Sequence, residues 1–172
     1  MAHPLPLAPD VRIAPDWRAG AFAGFAGATM LMAAELAWTS ATDEAGPWRI
    51  AQLVAALVLG SDVAAPDVSA AFDPLVAGAA LLVHFGLGLA FGLLLAWVET
   101  RAFLQQEWSN AFWVGLIFGG ALYVLDFHAM VALFPWFGEL RGLPTLIAQL
   151  GFGVVTALLY RQLAREPAEF PR

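Results

Sequence analysis

Four long apolar stretches dominate this sequence, at about residues 19–38, 74–98, 110–133 and 143–163. Each runs for roughly 20 residues or more, enough to cross about 30 Å of hydrocarbon at about 1.5 Å of rise per residue. Four such stretches in a chain of 172 residues leave little from which to build a water-facing shell. Only 13% of the residues are charged, where a soluble domain carries about a quarter, and 60% are hydrophobic. Lipid is therefore the solvent the sequence calls for. The expected fold is all-α: a four-helix transmembrane bundle forming a single domain over 18–165. A cleaved signal peptide is a poor reading of the first stretch, which is long, contains Glu35 and lacks a clear small-x-small cleavage site.

The flanking segments differ in kind. Pro4, Pro6, Pro9 and Pro15 rule out a stable helix over residues 1–17, which read as an extended arm; 166–172 read as a tail. A fifth apolar run, at about 47–60, is too short to span. Pro47 suits the first turn of a helix and Gly60 its end, and Ile50, Leu53, Val54 and Leu57 share one face. Two readings fit it equally: a helix lying in or dipping into the membrane interface, or a loop helix packed on the bundle.

Arginine sets the orientation. Arg12, Arg18, Arg101, Arg161, Arg165 and Arg172 fall on the side of both termini; only Arg49 and Arg141 fall on the other. Both termini are therefore expected in the cytoplasm. The absence of lysine, with all eight cations arginine, fits a GC-rich bacterial genome, so the expected location is a bacterial inner membrane. The opposite loops carry Asp43, Glu44, Asp62, Asp67, Asp73 and Glu139. Aromatic residues mark both boundaries: Trp17, Trp97, Trp108, Trp113 and Tyr160 inside, Trp38, Trp48 and Trp136 outside. A net charge of −6 gives no sign of nucleic-acid binding, and the lack of cysteine excludes disulfides, thiolate metal sites and cysteine nucleophiles.

An internal repeat is visible. Laying the fourth span on the second aligns His84, Gly86 and Gly88 with Gln149, Gly151 and Gly153, and Leu93-Leu94 with Leu158-Leu159. Laying the third on the first places Gly115 on Gly24 and Asp126 on Glu35, and a Pro-Trp pair follows each odd span (Pro47-Trp48, Pro135-Trp136). The chain reads as a duplicated two-helix hairpin, a parallel repeat and not the inverted repeat of many transporters.

The informative positions are polar residues that lipid should reject: Glu35, His84, Asp126, His128 and Gln149. A charge at mid-membrane costs roughly 2.5–3.5 kcal/mol on insertion scales. Four of the five share a helical face with small residues: Gly20, Gly24, Ala28, Leu31 and Glu35; His84, Gly88 and Gly92; Gly115, Gly119, Leu122 and Asp126; Gln149, Gly153 and Ala157. Such stripes let helix backbones approach closely, so these four groups are expected to point at neighbouring helices. At about 5.4 Å per turn, all four fit in the outer half of the membrane and can meet in one cluster. His128, two residues from Asp126, points elsewhere and is an outlying member or faces a partner protein.

Glu35, His84 and Asp126 have the chemistry to hold a divalent metal or to pass protons. The plainer role is a set of interhelical hydrogen bonds worth about 0.6 kcal/mol each, and it is the favoured one. A bis-histidine haem fits poorly, because His128 lies off the small-residue face that carries its expected partner. Arg49 and Arg141 are expected to pair with nearby acids or lipid phosphates. No Walker loop, His-Glu-x-x-His, Gly-x-Ser-x-Gly or dinucleotide fingerprint is present, so no enzyme is expected.

The glycine-rich first span, the Pro47-Trp48 pair opening an interfacial helix and the His84-x-x-x-Gly88-x-x-x-Gly92 second span resemble a family of uncharacterised bacterial and archaeal four-helix membrane proteins. The resemblance covers most of 19–163 and rests mainly on glycines and one histidine. It implies the fold and no activity. A histidine is frequent in the family's fourth helix; Gln149 stands there in this chain, so a metal site relying on that histidine would be lost. The expected function is a non-catalytic accessory or scaffold subunit that associates with itself or a larger membrane complex. The alternative is a metal-binding, proton-conducting or small-solute transport protein built on the Glu35–His84–Asp126 cluster. An enzyme acting on lipid or quinone has no residue evidence in its favour.

Overall fold

The computed structural model describes residues 14–42, 48–65, 71–101 and 108–164. Outside them lie arm residues 1–13 with Arg12, the loop acids Asp43, Glu44 and Asp67, Pro47, Arg165, Arg172 and the tail 166–172. The described residues form α1 (Trp17–Thr42), α2 (Trp48–Leu59), α3 (Pro74–Arg101), α4 (Trp108–Val124) and α5 (Leu143–Leu163), with no strand among them. After Val124, the α4 span continues through a π-helical turn, Leu125–Ala129, and a 3-10 turn, Met130–Ala132. Further 3-10 turns cover Ser61–Ala64 and Pro135–Leu140. Four of these helical segments (α1, α3, α5 and Trp108–Ala132) are long and apolar enough to cross a membrane. The chain is a multi-pass membrane protein. Its outward faces agree: Leu82 and Ile117 are each 71% exposed, which suits contact with lipid and would be a liability in water.

Local chemistry sets several helix ends. Asp16 Oδ1 accepts the backbone N–H groups of Arg18 and Ala19, at 3.1 and 3.0 Å, and so caps α1. Asp73 Oδ1 accepts the N–H of Leu75 at 2.8 Å, while Pro74 opens α3 with the φ a first turn needs. α1 runs beyond the expected end at 38, and the Thr39 and Thr42 hydroxyls there donate to carbonyls one turn back. α2 ends where Gly60 takes φ +100°, a backbone state that disfavours any residue with a Cβ.

The spanning helices pack in the order α3–α1–α5–α4, and α3 and α4 make few contacts with each other. The glycine stripes explain the order. A Cβ on Gly24 would lie 2.7 Å from Gly92 Cα, and one on Gly115 would lie 2.7 Å from Val154 Cα. Neither approach tolerates a side chain. Gly20, Gly24, Gly88 and Gly92 thus bring α1 and α3 together, and Gly115, Gly119 and Gly153 bring α4 and α5 together. Both hairpins use the same device.

Three expectations need correction. The third span is not regular helix to 133: the π turn widens it at Leu125–Ala129 and leaves Asp126 and Phe127 both buried. Tyr160 is no boundary aromatic; it is 1% exposed, and its hydroxyl accepts the Asp16 N–H at 3.2 Å. Arg141 meets no acid among the described residues; its Nε donates to the Phe127 carbonyl, a group in the π turn. The short apolar helix α2 stands between the first and second spans, as expected, and packs on the bundle. Leu53, Ala55 and Ala56 of α2 are buried, Ala55 against Val76 and Ala80 of α3, and Trp136 Nε1 donates to Leu53 O at 3.1 Å.

Candidate functional site

The bundle has two unlike ends. One carries Asp16, Arg101, Trp108 and Leu163 and is called the terminal end. The other, the capped end, is covered by α2 and the Pro135–Leu140 turn. Arg49 of α2 fastens this cap. Its guanidinium meets Glu139 with Nε at 3.1 Å and Nη2 at 2.8 Å, and it donates to the carbonyls of Ala64 and Ala65. The acid partner expected for Arg49 is therefore present.

Beneath the cap lies a cavity of about 80 Å³ lined by all four of Glu35, His84, Asp126 and Gln149. Each comes from a different span, carried inward by the face it shares with small residues. Ile50, Val54 and Leu57 of α2 and Phe137 and Leu140 of the turn form the roof. Gln149 Nε2 donates to Asp126 Oδ2 at 3.2 Å, and both residues are buried. His84 Nε2 lies 2.9 Å from the carbonyl oxygen of Ala28 on α1. A carbonyl only accepts, so Nε2 carries the proton. Glu35 makes no side-chain hydrogen bond or ion pair with a described residue.

Glu35 is also where three spaces meet. A second cavity, about 310 Å³ between α1, α2 and α3, is lined by Glu35, His84, Trp48 and apolar residues. A third, about 610 Å³ in the groove between α1 and α5, is lined by Glu35, Thr39, Trp38 and Thr145 among others. Exposed apolar side chains rim both: Leu36 and Leu81 at the second, Trp38 and Ile147 at the third. They face the lipid side of the bundle. No arginine among the described residues lines any of the three. The electrostatic character of the space is set by two carboxyl groups.

Glu35, His84 and Asp126 share a cavity wall, but among the described residues no three His, Asp or Glu side chains are placed to hold one ion. The Asp126 carboxyl is bonded to Gln149 and the His84 Nε2 to a carbonyl. His128 is exposed on the π turn with its ring 5.4 Å from that of Tyr123, away from the cavity.

Sequence reasoning missed a second polar group at the terminal end. Glu99 is 2% exposed on α3, and Arg161 acts on it electrostatically from α5. Its Oε1 and the Thr156 hydroxyl are buried with no hydrogen-bond partner among the described residues. The signal was present. Continuing the stripe His84–Gly88–Gly92 by helical steps reaches Leu95 and Glu99, and continuing Gln149–Gly153 reaches Thr156 and Tyr160. No protein family, curated protein or solved structure matches this chain.

Proposed function

We propose that this protein binds a small cation, a proton at the least, and passes it across the membrane. The observation that carries this reading is the convergence of Glu35, His84, Asp126 and Gln149, from four spans, on one cavity without an arginine in its wall. Ionisable residues inside a membrane are expensive and mark pathways more often than they mark idle structure. Here they are gathered, and one carboxyl is left without a partner among the described residues. The arginine distribution favours cytoplasmic termini and, with them, a cavity in the outer half of the membrane.

An accessory or scaffold role rests on the lack of enzyme motifs and of long soluble loops, and on glycine stripes that permit close helix association. Those stripes are taken up within the chain, by α1 against α3 and α4 against α5. Passage also requires a route through the terminal end. The buried Thr156 hydroxyl and Glu99 carboxyl, on the stripes that continue from Gln149 and His84, are the polar groups such a route would use.

The test is proton flux into proteoliposomes holding an entrapped pH dye, driven by an imposed potential. Wild-type protein should dissipate the gradient, and Glu35→Gln and Asp126→Asn should slow it by about tenfold or more with unchanged unfolding midpoints. Flux no faster than in empty liposomes would remove this reading. Foreign subunits retained in native mass spectrometry of protein from its own host would then favour the accessory role.

A further inference from the structure

We infer that the cavity between α1, α2 and α3 receives the apolar body of a protonated amine from the lipid side, with the ammonium group held at Glu35 and His84. The inference rests on the Glu35 cavity being a ligand site, and it names the class of ligand. Three observations lead to it.

The first is shape. About 310 Å³ of mostly apolar space adjoins the 80 Å³ polar cavity, and Glu35 and His84 line both. A ligand filling the two would have an apolar body and one compact polar head. Pockets for small organic molecules begin at about this volume.

The second is donor and acceptor chemistry. The Glu35 carboxyl has no protein partner among the described residues. His84 gives its Nε2 proton to the Ala28 carbonyl, so the neutral ring keeps Nδ1 as an acceptor. Both groups therefore ask for a donor, and an ammonium N–H satisfies both while its charge matches the carboxylate. An anionic or purely accepting head would meet repulsion. Trp48 adds an aromatic wall, and its buried indole N–H has no partner among the described residues. Its ring face suits a cation or an aromatic body.

The third is access. Leu36 and Leu81 at the rim are exposed on the lipid-facing surface, whereas the route from the capped end is roofed by Ile50, Val54 and Leu57. A molecule with an apolar body reaches Glu35 more directly through the bilayer than through the cap.

The experiment is calorimetric titration of the full chain in nanodiscs with 4-phenylbutylamine, compared with 4-phenylbutanol, 4-phenylbutyrate and the trimethylammonium analogue. The amine should bind about tenfold or more tightly than the alcohol, the acid and the trimethylated form, and Glu35→Gln should bring amine and alcohol to parity. Ala77→Phe, which fills the cavity from α3, should remove amine binding; Ala51→Phe fills it from α2 and replaces that variant if it fails to fold. Equal binding of amine and alcohol by wild type, or a preference that survives Glu35→Gln, would overturn the inference. So would equal binding of the trimethylated form, which lacks N–H donors. If the amine does not bind while proton flux still depends on Glu35, the inference falls and the cation reading stands. If Glu35→Gln alters neither, both fall.

Discussion

The two ends of the bundle are built from the same helices and reach opposite results. At the terminal end Gly20 meets Ala96, Gly24 meets Gly92, and Ala19, Ala23, Ala96 and Tyr160 form a closed core. At the capped end the same stripes lead into Glu35, His84, Asp126 and Gln149, and the helices enclose cavities. A small-residue stripe draws two helix backbones together only for as long as it lasts. Where a larger polar side chain replaces glycine the helices part, and the space that opens is lined by the residue that ended the stripe. His84 shows this directly: one turn from Gly88, whose own Cβ would lie 2.5 Å from Ala28 Cβ, it has room to reach the Ala28 carbonyl.

The contrast can be broken by enlarging one residue at each end. Gly92→Leu puts a side chain into backbone contact and should destabilise the protein by about 3 kcal/mol, the upper part of the overpacking range, read by unfolding in detergent. Ala77→Leu, at the wall of the capped-end cavity, should cost far less because it fills space. Equal losses would mean that the capped end is packed as tightly as the terminal end.

Next in size is Arg141→Ala. It leaves the Phe127 carbonyl of the π turn without its guanidinium donor and should cost about 1.5 kcal/mol or more, as for a hydrogen bond to a charged group. The same unfolding assay reads it. Accompanying loss of the Asp126–Gln149 pair would show that the π turn positions the cavity carboxyl.

Gln149→Ala removes a bond between buried side chains, yet interhelical bonds of this kind average about 0.6 kcal/mol in membranes. Its unfolding midpoint should move little. The smallest effect on stability is expected for Glu35→Gln, since the carboxyl has no described partner to lose. Flux or amine binding should fall while the midpoint holds. A large loss of stability in Glu35→Gln would instead mark Glu35 as structural and sharpen the contrast away from function.

Much of this was legible in the sequence because helical periodicity is a strong signal in apolar spans. The four spans, the glycine faces and the meeting of Glu35, His84, Asp126 and Gln149 all follow from spacing by three and four. What escaped was of two kinds. Glu99 and Tyr160 sit near helix ends, where charged and aromatic side chains ordinarily reach the interface, yet close packing turns both inward. The π turn and the Arg141–Phe127 bond depend on which carbonyls a helix leaves open where its register changes, and spacing alone does not encode that. The hydrogen bonds of His84 to Ala28 O and of Gln149 to Asp126 likewise come from side-chain geometry that spacing does not encode.

The most direct measurement uses the absence of cysteine from the chain. Single cysteines, Ala51→Cys in the wall of the capped-end cavity and Ala96→Cys at the terminal end, are exposed in membrane vesicles to 2-aminoethyl methanethiosulfonate and to its sulfonate counterpart. The expected result is modification of Ala51→Cys, faster by the ammonium reagent, with that preference lost in the added Glu35→Gln background and Ala96→Cys unmodified. Equal rates for the two reagents at Ala51→Cys, or ready modification of Ala96→Cys, would contradict a cation-selective cavity above an end packed too closely for a reagent of that size.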